Sequence, residues 1–185
     1  FTTSGSSTAK GETLLDTAKN IEAMKVDMVV IRHSSPGAAL FLSEQCQGNI
    51  INAGDGGHEH PTQGLLDMMT LKEKFNDLKG LRVVIVGDIA HSRVARSDVI
   101  GFTRMGSEVH LYGPATLLPR GIEQLGAKVS SSLEEAVRDA DVVMPSLDAG
   151  NAALFERIDR PAPGLSFEAM VSGLVAFRES FRNAI

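Results

Sequence analysis

The stretch "LRVVIVGDIAHSRVARSDVIGFTRMGSEVHLYG", residues 81–113, decides the architecture. It opens on a near-continuous β-branched run, 81–88, turns through a short polar loop, continues as an amphipathic segment over 92–105, and closes on a second apolar run, 107–113. An apolar run without alternation is the mark of a strand covered on both faces, and a helical period between two such runs is the mark of a parallel crossover. The same alternation extends in both directions. Runs 27–33, 49–53 and 140–144 read as further strands, and 11–24, 36–47, 61–76, 115–125, 131–139 and 166–182 read as helices. The expected fold is therefore α/β, parallel sheets with helices on both faces. The polar stretch "KEKFNDLKG", 72–80, separates two strand–helix groups and is the expected domain junction. After Pro145 the sequence shows no strand-like run before the final helix.

In open parallel sheets ligands bind outside the carboxyl ends of the strands. That rule selects Arg32 and His33 after the first strand, Asp55 to His60 after the second, and Asp88 to Arg96 after the third. Within the second set, "HEHPTQ" (58–63) places His60 immediately before Pro61. Proline is favoured at the first helical position because its missing N–H would have had no intrahelical partner there, so His60 reads as the cap and Gln63 as N3. Both lie on the rim of a helix mouth, where unpaired N–H groups and the dipole favour an anion or a carbonyl oxygen. An ordinary polar cap is the plain alternative. A zinc reading of His58, Glu59 and His60 is weaker, because the spacing is not i, i+4 and no cysteine assists.

The loop "GDIAHSRVARS" (87–97) lacks G-x-G-x-x-G, since Ile89 and Ser92 stand where glycines would, which disfavours a nicotinamide cofactor. Arginine's planar fork suits carboxylate or phosphate, so Arg93 reads as a carboxylate reader, while Arg96 reads equally well as part of a solvated first turn. Near the start, "SGSSTAKGET" (4–13) is not a P-loop because Gly11 follows Lys10, and it reads as a linker.

Composition sets the outer limits. The chain has 185 residues, 43% of them hydrophobic, enough for a real core. No apolar run approaches the roughly 20 residues needed to cross a bilayer, and the beginning lacks a signal-peptide pattern, so a cytoplasmic protein is expected. A net charge of −5, 5% aromatics and no tryptophan leave no basic stripe for nucleic acid. The single cysteine, Cys46, excludes an internal disulfide and reads as a small buried hydrophobe.

Four blocks, "SSTAKGETLLDTAKNI", "IRHSSPGAA", "NAGDGGHEHPTQGLLDMMTL" and "VVIVGDIAHSRVARS", closely resemble, in order and spacing over roughly residues 1 to 145, the catalytic chain of the aspartate branch of the carbamoyltransferase family. The H-P-x-Q element is common to that family. The K-G-E-T and R-H-x-x-x-G-A-A blocks point to aspartate rather than ornithine as acceptor; ornithine carbamoyl transfer, or a non-catalytic module of the same fold, are the alternatives.

The resemblance implies two linked α/β domains: a truncated carbamoyl-phosphate-binding domain over 1–78 and an aspartate-binding domain over 79–165, with a helix over 166–185 that packs back on the first. It implies that His60 donates to the carbamoyl carbonyl oxygen, that Gln63 holds the carbamoyl amide, that Arg32 shares the carbonyl oxygen and the phosphate, and that Arg93 binds the aspartate carboxylate. Ser6 and Lys10 would reach into a neighbouring subunit's site, making a homotrimer with shared active sites. Carbamoyl phosphate and L-aspartate are the implied partners, regulatory or dihydroorotase-type subunits are further partners the family admits, and no metal or organic cofactor is required. Two departures stand out: the family's S-x-R-T-R phosphate motif is not among these residues, and "PSLDAGN" (145–151) stands where the family has R-x-Q.

Overall fold

The computed structural model describes residues 11–146, 149–159, 161 and 163–181. These divide into two compact units, the described residues up to Asp77 with Ala90–Gly101, and Leu78–Ile89 with the described residues from Phe102 onward.

In the first unit, α1 (Leu14–Ala23) begins at a capping box. The Thr13 hydroxyl accepts from the Asp16 N–H at 3.1 Å, and the Asp16 carboxylate accepts back from the Thr13 N–H. This reciprocal pairing satisfies N–H groups that a helix start leaves unpaired. Strand β1 (Met28–His33) runs parallel to β2 (Asn49–Asp55), with α2 (Ala38–Gln45) as the crossover. Along β1 exposed and half-buried residues alternate, so Met28, Val30 and Arg32 share one open face. Register is regular from Met28↔Asn49 to Ile31↔Asn52 and then slips, since His33 pairs with Asp55. The extra residue lies on β2, where Gly54 takes φ +118°, a conformation that favours glycine. Such a bulge bends the strand and re-aims its side chains.

Helix α3 (Pro61–Phe75) follows, with His60 as cap and Pro61 at N1, as the sequence indicates. The first part of α4 (Arg93–Arg104) belongs to this same unit. Two glycines let it approach α3. A Cβ at Gly64 would lie 3.3 Å from both Ser97 Cβ and Asp98 Oδ1, and one at Gly101 would meet Met68 Sδ at 2.8 Å.

The second unit holds a four-stranded parallel sheet in the order β5-β4-β3-β6, from β3 (Arg82–Val86), β4 (Glu108–Tyr112), β5 (Lys128–Val129) and β6 (Val142–Pro145). Val83, Val84, Val109 and Leu111 are at most 1% exposed, the two-sided burial expected of continuous apolar strands. Each such side chain contributes about 1.5–3 kcal/mol relative to leaving it in water. At the carboxyl ends, a Cβ on Gly113 would drive into the Gly87 carbonyl, so only glycine permits this approach.

Several sequence expectations change here. The helix expected over 115–125 is two 3₁₀ turns, Ala115–Leu117 and Ile122–Leu125. Pro119 lacks the N–H a continuous helix would use, and Gly121 sits at φ +78° between the turns. Strand β5 spans two residues, too few for any periodicity to register. The tail contains α6 (Ala152–Ile158), capped by Asn151, whose side-chain oxygen accepts from the Leu154 N–H at 3.0 Å. Cys46 is half-buried rather than buried.

Residues 90–101, which the sequence reading assigns to the second domain, pack in the first unit through the Gly64 and Gly101 approaches. Helix α7 (Phe167–Ser180), expected against the first domain, lies in the second unit. There the Phe167 ring meets Phe155 at 6.0 Å between centroids, and Phe181, just past the helix, packs against Val84, Ala136 and Ala140.

Candidate functional site

The carboxyl ends of β1 and β2 and the mouth of α3 converge within the first unit. The Arg32 guanidinium nitrogen Nη1 stands 3.4 Å from His60 Nε2. Arginine can only donate, so Nε2 accepts, and the imidazole proton sits on Nδ1, which faces Thr62 Oγ1 at 3.3 Å. Burial, then the positive charges of Arg32 and Arg93, hold the His60 pKa below its usual value. At neutral pH the ring is therefore uncharged, a polar hydrogen-bonding group in a positive surrounding.

Arg93 reaches this region from the start of α4. Its Nη1 donates to the Gly56 carbonyl at 3.1 Å, and its guanidinium lies against Gly54, where a Cβ would come within 3.1 Å. The bulge glycine is thus also the surface on which the arginine rests. One turn further along α4, Ser97 Oγ accepts the His60 backbone N–H at 2.9 Å. Arg93 and Ser97, four residues apart, share one helix face.

Asp55 holds the loop between β2 and α3. Only 2% exposed, it accepts from the Gly37 N–H at 2.6 Å, from Asn52 Nδ2 at 2.9 Å, and pairs with His58 Nδ1 at 3.1 Å. Burial pushes its pKa up, but the hydrogen bonds from Asn52, Gly37 and His58 outweigh that and hold the carboxyl below the usual range. It remains an anion that fastens the start of α2 to the loop carrying His60.

Gln63 turns along its own helix, its Nε2 donating to Asp67 Oδ1 at 3.0 Å. Behind it Asp98, 1% exposed, is hydrogen-bonded to Asp67 and keeps Oδ1 without a partner among the described residues. Burial and the neighbouring Asp67 charge raise its pKa to about 8. Between α1, β1 and α2 a cavity of about 330 Å³ is lined by Leu14, Thr17, Ile21, Leu42, Arg32 and His33 among others.

Arg32, His60 and Arg93 are thus brought together, and Gln63 stands on the same helix rim. Ser6 and Lys10 lie outside the described residues. His58 pairs with Asp55 and faces Glu59 at 3.9 Å, and among the described residues no group of three or more His, Cys, Asp or Glu could hold a metal ion. Nor is any described helix long and apolar enough to cross a membrane. Sequence reasoning missed Ser97, Asp67 and Asp98. The i, i+4 spacings 93–97 and 63–67 carry the first two, whereas the meeting of Asp67 with Asp98 joins two helices and leaves no local trace.

Residues 1–73 match the family described as aspartate/ornithine carbamoyltransferase, carbamoyl-P binding domain. The aspartate carbamoyltransferase catalytic subunit of Desulfotalea psychrophila is 63% identical over 141 residues, 76% of this chain and 44% of that protein. That of Halothermothrix orenii is 58% identical over 140 residues, 76% and 45% respectively. The chain spans less than half the length of these two relatives. Among solved structures, aspartate transcarbamoylase from Trypanosoma cruzi in complex with carbamoyl phosphate and aspartate superposes with a TM-score of 0.69 at 29% identity, covering 78% of this chain and 50% of that one.

Proposed function

We propose that this protein, whose residues 1–73 match the carbamoyl-P binding domain of aspartate/ornithine carbamoyltransferases, transfers the carbamoyl group of carbamoyl phosphate to the α-amine of L-aspartate, giving N-carbamoyl-L-aspartate and phosphate for pyrimidine synthesis. The observation that carries this reading is the convergence of Arg32 and His60 at 3.4 Å on the mouth of α3.

The amine attacks the carbamoyl carbon, negative charge collects on the carbonyl oxygen, and phosphate departs. Donors fixed in advance around that oxygen are what such a step needs. Arg32 supplies one donor and the positive charge that also suits phosphate. His60, uncharged, supplies a second once a carbonyl oxygen replaces it as the acceptor for Arg32. Its Nε2 must then carry the proton, which Thr62 permits because a hydroxyl can donate to Nδ1 as readily as accept from it. Arg93 receives the aspartate carboxylate, and Gln63 takes the carbamoyl amide.

Ser6 and Lys10 complete a neighbour's site in a homotrimer. The test is incubation with carbamoyl phosphate and either aspartate or ornithine, with the carbamoylated product measured. Product from aspartate alone supports the reading, and product from ornithine alone replaces it.

A second reading, a carbamoyltransferase-like module that binds without turnover, is favoured by "PSLDAGN" at 145–151, where the family's R-x-Q would stand. Binding of carbamoyl phosphate without product would select it.

A further inference from the structure

Asp67 and Asp98 remain outside the reaction as described, yet they stand directly behind one of its binding groups. Gln63 Nε2 donates to Asp67 Oδ1 at 3.0 Å, one turn into α3. Asp98, 1% exposed on the facing α4, is in side-chain hydrogen-bond contact with the same carboxylate, and its Oδ1 has no partner among the described residues. Two carboxyl groups in hydrogen-bond contact must hold a proton between them, because neither charge repulsion nor an unbonded buried anion is tolerated.

We infer that Asp67 and Asp98 are positioning residues for the carbamoyl group: Asp98, as a carboxylic acid, donates to Asp67, and Asp67 fixes which end of the Gln63 amide faces the substrate. This deepens the functional reading above and rests on it.

A side-chain amide is nearly symmetric in shape, so its two orientations differ only by hydrogen bonding. Asp67 can only accept from Gln63. It therefore takes the NH₂ end and leaves Oε1 as the free end, the one that can accept an N–H from a carbamoyl NH₂. Were the amide reversed, two NH₂ groups would face each other and the contact would be lost. Asp98 keeps Asp67 in place from the other side without adding a second negative charge. The glycine at 64 makes this possible, since a Cβ there would press on Asp98 Oδ1 at 3.3 Å. At the mouth the charges of Arg32, Arg93 and Asp67 all act on the His60 ring, and Asp67 is also the charged neighbour that acts on Asp98.

The experiment compares carbamoyl phosphate with inorganic phosphate, which lacks the carbamoyl group, by calorimetric titration of the full chain. In Asp67→Asn the Gln63 amide loses its fixed sense, and carbamoyl phosphate should bind about 10-fold more weakly, one hydrogen bond's worth, while phosphate affinity stays within about twofold. Asp98→Leu should show the same selective loss, and Asp98→Asn, which restores a donor toward Asp67, should rescue it. Equal weakening of both ligands, or no weakening of either, overturns the inference.

The side-chain amide of Gln63, followed by ¹⁵N–¹H NMR, decides the arrangement without any ligand. Slowly exchanging, shifted resonances that move to solvent-like positions in Asp67→Asn support it, and solvent-like resonances in the parent protein overturn it. Failure of the parent protein to bind either ligand sinks the functional reading instead, and the amide resonances still judge the positioning.

Discussion

The backbone N–H of His60 is held by the side chain of Ser97 at 2.9 Å, across 37 residues of sequence. The cap of one helix is thus fixed by the body of another, and the imidazole's position depends on a hydroxyl that binds its backbone. Ser97→Ala leaves that part-buried N–H without its partner, at a cost of about 0.5–1.5 kcal/mol. Urea unfolding should show the loss as a lower midpoint with an unchanged slope.

His60→Ala is expected to lower turnover by about 10² or more while leaving the circular dichroism spectrum unchanged, as for removal of one oxyanion donor. Thr62→Val, which removes the hydroxyl facing Nδ1, should lower turnover in the same direction and leave phosphate binding intact. Steady-state kinetics with both variants checks the pair, and full activity of His60→Ala removes the imidazole from the mechanism.

Arg93→Ala should raise the KM for aspartate far more than that for carbamoyl phosphate. Its guanidinium rests on Gly54 and Gly56, so Gly54→Ala, which crowds that surface, should reproduce part of the effect. Equal loss toward both substrates would place Arg93 at the phosphate.

The stability of the protein should fall as pH rises from about 4 to about 8. In the native state the Asp98 carboxyl keeps its proton up to about 8, against a usual value of 3.8. The unfolded chain releases that proton near the usual value, so in this window the native state binds more protons, and raising the pH favours unfolding. Urea midpoints at pH 5, 7 and 9 check the sign, and in Asp98→Asn this slope should disappear. Asp55 works oppositely: its lowered pKa contributes stability that is present above the usual carboxylate value and lost as pH falls below it.

Lys10→Ala and His60→Ala chains, each inactive, should regain activity when subunits are exchanged, because some shared sites would then draw both intact residues from different chains. The reason is the short reach of an ammonium's charge, which must stand within a few ångströms of phosphate to matter. Chains that stay inactive after confirmed exchange exclude the shared site.

What the sequence made legible follows from how local each signal is. The Pro61 start of α3 and the apolar runs of β3 and β4 are written in consecutive residues, so periodicity and capping rules find them. Arg32 and Arg93 stand at strand ends and in the blocks that carry the family resemblance, and the structure brings both beside His60. The break at Pro119 was written too, but the apolar spacing of 115–125 masked it. Asp98 could not be found in this way. Its neighbours show an ordinary helix face, and only the approach of α3 through Gly64 makes a carboxyl there unusual.

The first unit is assembled from two separate pieces of chain, with twelve residues of the second unit, Leu78–Ile89, between them. No single cut in the polypeptide can therefore release it whole, and a piece ending at Asp77 would lack both Ser97 and Arg93. The same holds in time. During synthesis, His60 leaves the ribosome well before the hydroxyl that fixes it, so the α3 mouth must wait in an incompletely organised state until α4 has followed. Ligand binding by a nascent chain should accordingly appear as a step near the emergence of Gly101, not as a gradual gain along the first 77 residues.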